Sequence, residues 1–320
     1  MHPRPEPVVD ILVAAWNRSE TIERAVTSAL SEAEVHNVIV IDDGSTDDTS
    51  ARARRAGGGS QRLTVLRLPS NLGPSAARNR GLEVSTAPYV AILDGDDFFQ
   101  PGRMAKLLTH AGAFDFVADD ILEIDSTGVL RPRMFEPRFE PWQLDFATFV
   151  EGNSTRHGRN RAELGYLKPL IRRAFIDAHE LRYDERLRLG EDYAFYARAL
   201  ALGAQFLVTP ALGYVSEPRA DSLSARHGKR DLEKLRDVDA ELACIPGLCD
   251  GDLRALRHHF RSVDGRVQWL GVIDAFKRRD PTGFVSPFTR SPEVSIFIAK
   301  KLIEEAFQRS GKWLSQQKRP

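Results

Sequence analysis

The chain has 320 residues, enough to bury one large core with an appendage, and its 45 lysines and arginines equal its 45 aspartates and glutamates. That balance excludes bulk attraction to nucleic acid, so any binding of a polyanion has to be local, in a pocket or patch. The two cysteines, Cys244 and Cys249, supply neither a disulfide scaffold nor a zinc site, and read as reduced residues of a cytoplasmic protein.

Residues 1–7 are polar and proline-rich, with no apolar stretch of signal-peptide length, and no later apolar run is long enough to span a bilayer. The expectation is a soluble protein that at most rests on a membrane surface. Residues 8–14 form a short apolar, partly β-branched run, read as a buried strand. Residues 19–30 carry Ile22, Ala25, Val26, Ala29 and Leu30 at helical spacing, with Ser19 or Asn17 as the cap. A second buried strand at 37–41 ends abruptly in Asp42-Asp43-Gly44-Ser45, and a polar helix is expected over 46–56. Residues 63–68 alternate like a strand, 75–84 are helical, and a fourth apolar strand at 88–93 ends in Asp94-Gly95-Asp96-Asp97. Strands alternating with helices argue for βαβ units and a mainly parallel sheet in an α/β fold.

Beyond residue 100 the pattern is weaker. A strand is expected within 114–124, an arginine- and proline-rich loop at 131–141, a helix with an acidic start at 190–202, and short strands at 205–208 and 212–215. From 231 onward the chain reads as helical, with breaks at 245–251 and 281–292 and no repeat of solenoid length.

The acidic clusters fall just after strand carboxyl ends, where open α/β sheets place their ligands. Three carboxylates within Asp94-Gly95-Asp96-Asp97 repel one another, and a divalent cation such as Mg²⁺ or Mn²⁺, shared with substrate phosphates, would offset that repulsion. A solvated acidic turn is the plain alternative. Asp43 could accept hydrogen bonds from a base or ribose, while Ser45, Thr46 and Asp47 are also good helix caps. The loop Asn71-Leu72-Gly73-Pro74 enters a helix whose Arg78 could meet phosphate oxygens, although a helix arginine is usually surface charge. Glu191 and Asp192 open a helix, where the dipole favours carboxylates; they serve either as first-turn acids or as a general base beside a reacting hydroxyl. Arg226 could bind a diphosphate and His227 a diphosphate or a metal; the plain alternative for both is an exposed polar loop.

Taken in order, these motifs resemble the family 2 glycosyltransferases of the GT-A fold. The run Ile11-Leu12-Val13-Ala14-Ala15-Trp16-Asn17 is similar to that family's strand ending in Pro-Ala-Tyr-Asn. The Asp42-Asp43-Gly-Ser stretch, the Asn-Leu-Gly loop, the Asp-x-Asp-Asp cluster and the Glu-Asp pair follow at its spacing. Over residues 8–227 the chain looks most like bacterial exopolysaccharide glucosyltransferases of the succinoglycan type. The resemblance implies that Ala14, Trp16 and Asp43 hold the nucleoside and that Arg78 helps fix the nucleotide. Asp94 and Asp96 would be the Asp-x-Asp pair, Asp96 being the direct metal ligand, and Asp192 would be the catalytic base with Glu191 its neighbour. Ala14 for proline and Trp16 for tyrosine are the departures.

The implied organisation is a GT-A catalytic domain over 1–230, with a nucleotide half to about 98 and an acceptor half beyond it, followed by a C-terminal helical region over 231–320. The implied partners are a nucleotide-sugar donor, expected to be UDP-glucose, and a saccharide acceptor, expected to be a lipid-linked oligosaccharide. Acceptor recognition is expected in 131–170, with His157, Arg159 and Arg161 as candidates. The apolar and basic residues of 293–320 read as a helix that packs on the catalytic domain or a partner subunit, or alternatively lies on an anionic membrane. A nucleotidyltransferase would need a glycine-rich, lysine-containing loop that is missing near the first strand. A dehydrogenase would need the G-x-G-x-x-G fingerprint, which 14–19 lacks. A binding module without catalysis would have no use for the Glu191-Asp192 pair.

Overall fold

A computed structural model describes residues 8–125, 127–135, 139–154, 163–217, 228–289 and 292–316. Its first half follows the sequence pattern. β1 (Val9–Ala15), β2 (Val35–Asp42), β3 (Leu63–Arg67) and β4 (Tyr89–Asp94) alternate with α1 (Ile22–Ser31), α2 (Thr49–Ala56) and α3 (Pro74–Val84). These strands lie parallel in the order β3-β2-β1-β4. β1 is central and almost wholly buried, which accounts for its continuous apolar run rather than an alternation.

The second half adds β5 (Phe98–Phe99), α4 (Arg103–Leu108), β6 (Phe116–Ile124), β7 (Leu130–Pro132), β8 (Trp142–Leu144), α5 (Phe146–Gly152), β9 (Leu170–Arg172), α6 (Arg173–Ala178), α7 (Glu191–Ala201) and β10 (Phe206–Ser216). Here the sheet is mixed. β9 runs antiparallel between β4 and β6, β6 pairs parallel with β10, and β10 pairs antiparallel with both β5 and β8. Where two short strands were expected, β10 is a single strand, irregular between Thr209 and Tyr214. That irregularity is pinned by Asp119, whose carboxylate accepts from the backbone N–H groups of Leu212 (2.9 Å) and Gly213 (3.1 Å).

The other face of Asp119 meets Arg103. Both side chains are fully buried, and the guanidinium donates through Nε (3.0 Å) and Nη2 (2.6 Å) to one carboxylate oxygen. Arg103 also packs over the rings of Phe99 and Tyr214 and donates to the carbonyl of Lys168 (2.6 Å). This buried ion pair therefore joins α4, β6, β10 and the segment entering β9.

The C-terminal helices are α8 (Lys229–Leu242), α9 (Asp250–Arg278), α10 (Pro281–Val285) and α11 (Pro292–Gln316). Leu232, Leu235 and Val238 of α8 and Ala255, Leu256 and Val263 of α9 join the apolar cluster that contains Phe149, Tyr193 and Tyr196. Val294 and Ile298 of α11 bury against Val272 of α9, so this contact lies within the C-terminal helical region rather than on the 1–230 domain, while Ile296 and Ile303 remain exposed. Among the described residues no helix is long and apolar enough to cross a membrane.

Candidate active site

Parallel pairing brings the strand ends together. Ala14 lies beside Ile41 on one side and Asp94 on the other, so the loops after β1, β2 and β4 open onto one cleft of about 490 Å³. Ala14, Trp16, Asp43, Arg78, Asp94, Asp96, Glu191 and Asp192 all line it. Arg226 and His227, and the acceptor candidates His157, Arg159 and Arg161, lie outside the described residues.

At the end nearest β2, Asp43 is buried, and its two carboxylate oxygens accept from the N–H groups of Leu72 (2.7 Å) and Gly73 (2.8 Å). The Asn71-Leu72-Gly73 loop is thereby fixed across the cleft floor, and Arg188 holds Asn71 from the other side at 2.9 Å. Gly44 makes the turn possible: its φ is +68°, and a side chain would strike the backbone of Ser70 at 2.5 Å. Trp16 stands at the mouth, 37% exposed.

The polar residues after β1 and β2 act differently from the expected caps. α1 begins at Ile22, and neither Asn17 nor Ser19 caps it; α2 begins at Thr49 rather than Thr46. Instead the two loops are bonded to each other. Asn17, in the left-handed region at φ +52°, donates from its N–H to Ser45 Oγ (2.9 Å), and its side-chain oxygen accepts from Thr46 N (2.8 Å). Asp47 accepts from the N–H groups of Ser19 (3.0 Å) and Thr49 (3.0 Å).

The centre of the cleft is an ionic cluster. Arg78, buried, donates through Nη1 to Glu191 (3.0 Å) and Asp192 (3.0 Å) and through Nη2 to Asp94 (2.9 Å). It thus faces three carboxylates rather than standing free for phosphate, and its guanidinium lies over the Tyr183 ring. Lys168 completes the cluster from the segment before β9, with Nζ 2.6 Å from Asp192 Oδ2 and 3.1 Å from Asp94 Oδ2. Burial alone would push the Lys168 ammonium toward neutrality, but Asp192 and Asp94 outweigh it and hold the group above its ordinary value. Burial likewise works to raise Asp94, and Lys168 and Arg78 overcome it, keeping this carboxyl well below the usual range.

Asp96 lines the same cleft and is paired with Arg18 at 3.1 Å. Asp97 turns the other way, into the protein, where Tyr214 donates to it at 2.7 Å. Its carboxyl is pushed up to about 7, chiefly by burial and then by the neighbouring charges of Asp94 and Asp96. Among the described residues no three His, Cys, Asp or Glu side chains converge as a closed metal cage. The Asp94–Asp96 pair offers only oxygen donors to the cleft, and the charge of both carboxylates is felt at Asp97. This donor set fits a hard dication that completes its coordination on substrate oxygens.

Lys168 is a site residue that no motif marks, although it lies in the 131–170 stretch expected to recognise the acceptor; its one sequence signal is a lysine between Leu167 and Pro169 ahead of a strand. From the C-terminal helices, Leu235, His259 and Arg266 also line the cleft, and no motif marked them.

The glycosyl transferase family 2 model matches residues 10–175, a span containing every strand end of this cleft. The chain is a family 2 glycosyltransferase. It is 45% identical over 268 residues to the succinoglycan biosynthesis protein ExoU of Rhizobium meliloti, covering 83% of this chain and 78% of that one. Among solved structures, this glycosyltransferase is similar to S. aureus TarS 1-349 in complex with UDP-GlcNAc. The TM-score is 0.62 at 16% identity, over 87% of this chain and 89% of that one. It is also similar to the mannosyltransferase PcManGT of Pyrobaculum calidifontis in complex with GDP-Man and Mn2+, with TM-score 0.59 at 15% identity, over 98% and 85% of the two chains. These likenesses establish the GT-A fold.

Proposed function

We propose that this glycosyltransferase moves glucose from UDP-glucose to a hydroxyl of a lipid-linked saccharide during exopolysaccharide assembly, with inversion at the anomeric carbon. The observation that carries the reading is the convergence of Asp43, Asp94, Asp96 and Asp192 on one cleft. The likeness to ExoU supports the exopolysaccharide setting, and the UDP-GlcNAc bound by TarS supports a uridine donor.

In this reading Ala14, Trp16 and Asp43 hold the nucleoside, with Trp16 covering the base and the loop fixed by Asp43 forming the floor. Asp96 and Asp94 would hold Mn²⁺ or Mg²⁺, which when bound neutralises the charge of the departing diphosphate. Asp192 takes the proton from the acceptor hydroxyl as that oxygen attacks the anomeric carbon. The bond from that carbon to the diphosphate oxygen breaks on the opposite face, and UDP leaves with the electron pair. One displacement turns an α-linked donor into a β-linked product, so no covalent sugar–enzyme intermediate forms. Arg78 and Lys168 hold the base in one orientation, each bonded to a different oxygen of Asp192. Ile296 and Ile303, exposed on the helix that carries Lys300 and Lys301, support contact with an anionic bilayer beside a lipid-linked acceptor.

The test combines binding with turnover. UDP-glucose should raise the melting temperature more with Mn²⁺ than without, and more than GDP- or dTDP-sugars do. Asp192→Asn should retain that shift while losing transfer. A variant that still transfers at the wild-type rate would remove Asp192 as the base, and a metal-independent preference for another nucleotide would overturn the donor assignment.

A further inference from the structure

α8 and α9 lie beyond the span matched by the family model, yet they bring a polar network to the cleft wall. Asp239 of α8 is 2% exposed. One of its carboxylate oxygens accepts from Tyr193 Oη at 2.7 Å, and the other lies 2.7 Å from His259 Nδ1 of α9. Tyr193 directly follows Asp192 in the chain, and its ring stacks on the His259 imidazole with centroids 4.4 Å apart.

The contact with Asp239 sets which ring nitrogen of His259 is engaged. Nδ1 of His259 faces the Asp239 carboxylate, to which a ring N–H donates. Nε2 is then the ring atom left for the cleft that His259 lines. Two groups orient the ring, one by hydrogen bonding and one by stacking, and burial removes its rotational freedom. Had α8 and α9 only to pack on α7, apolar side chains would do so without the desolvation of an aspartate and a histidine. Gly190 shows how close the approach is: a side chain there would meet Leu235 of α8 at 2.7 Å, immediately before Glu191 and Asp192.

We propose that His259 is a positioning residue of the acceptor subsite, its Nε2 hydrogen-bonding a hydroxyl of the incoming saccharide next to Asp192. This rests on the glycosyltransfer reading above, and it names a recognition group contributed by the C-terminal helices. Tyr193 and Asp239 are the parts that aim it.

Two substitutions separate aiming from mere packing. In His259→Asn the amide nitrogen stands where Nδ1 was, keeping the bond to Asp239 while removing the cleft-facing nitrogen. In His259→Gln the amide reaches the position of Nε2. With UDP-glucose as donor and octyl β-glucoside as acceptor probe, His259→Asn should raise the acceptor KM about tenfold, the scale of one lost hydrogen bond to an oriented group. The KM for UDP-glucose and its hydrolysis without acceptor should stay within about twofold of wild type, and His259→Gln should recover most of the acceptor KM. An unchanged acceptor KM in His259→Asn, or transfer and hydrolysis falling in parallel, would overturn the proposal. A readout free of turnover is nitrogen-labelled histidine NMR of the UDP-bound protein. Octyl β-glucoside should move the Nε2 signal of His259, and a signal that stays put also overturns the proposal. Should the wild type consume no UDP-glucose while that signal moves, the donor reading falls and the acceptor subsite stands.

Discussion

The Lys168 ammonium lies 2.6 Å from Asp192 and 3.1 Å from Asp94, bridging the residue at the start of α7 to the end of β4. Both carboxylates also touch Arg78, so two cations and two carboxylates form a closed ring on the cleft wall. Lys168→Met should abolish transfer and destabilise the fold by about 3–5 kcal/mol, because a buried ion pair loses one partner and leaves charge behind. Lys168→Arg should not restore activity, since a planar fork cannot reproduce a compact ammonium between two oxygens. Urea denaturation with parallel transfer assays checks both; a fully active methionine variant would remove Lys168 from the site.

Arg103 and Asp119 form another buried pair, away from the opening. Arg103→Met should cost about 3–5 kcal/mol. Replacing both residues, as Arg103→Met with Asp119→Leu, should recover little of this. The N–H groups of Leu212 and Gly213 would lose their acceptor, at about 1–3 kcal/mol for each group left unsatisfied. Chemical denaturation of the single and double variants gives the comparison, and full recovery in the double variant would contradict the role assigned to Asp119.

Two carboxyls give stability opposite dependences on pH. Burial, reinforced by the Asp119 charge, raises Asp120 to about 6 despite hydrogen bonds from Phe135 and Met134. Its favourable contribution is therefore present below the unfolded value near 4 and lost as pH climbs through about 6. Asp47 is the reverse. Burial acts to raise it, but hydrogen bonds from Thr49 and Ser19 prevail and lower it to about 2. Its contribution is present above about 4 and lost as pH falls toward 2. Asp120→Asn should flatten the decline in unfolding free energy between pH 4 and 6, and Asp47→Asn should weaken the acid limb. Urea titrations across this range would show each.

Asp43→Asn replaces one of two acceptors with a donor facing an N–H group. The 71–73 loop should loosen, with a stability loss of about 1–3 kcal/mol and a weaker thermal shift from UDP-glucose. A variant that binds the donor as wild type does would show that this carboxylate serves the loop alone.

Much of the nucleotide half was legible because its signals are local. A buried parallel strand such as β1 reads as a continuous apolar run, and Asp43 and Asp94 mark where β2 and β4 stop. The convergence of Asp43, Asp96 and Asp192 followed from their positions at strand and helix ends. What escaped was set by distant partners. Lys168 earns its place from carboxylates on β4 and α7, and His259 from Asp239 and Tyr193, pairings that leave no periodicity in the chain. Asn17 and Ser45 look like helix-cap candidates in the sequence but make loop-to-loop bonds, because the same hydroxyls and amides serve equally well for either. The short strands β5, β7, β8 and β9 are too brief to show alternation, and the irregularity in β10 made one strand look like two.

β10 also bears on how copies of the protein can meet. Its flank away from β6 is occupied by β8 along Phe206–Val208 and by β5 along Tyr214–Val215, with the irregular stretch between. A foreign strand could not zip onto that flank without first evicting a native one. On this side of the molecule, crowding of many copies therefore carries little danger of cross-β fusion.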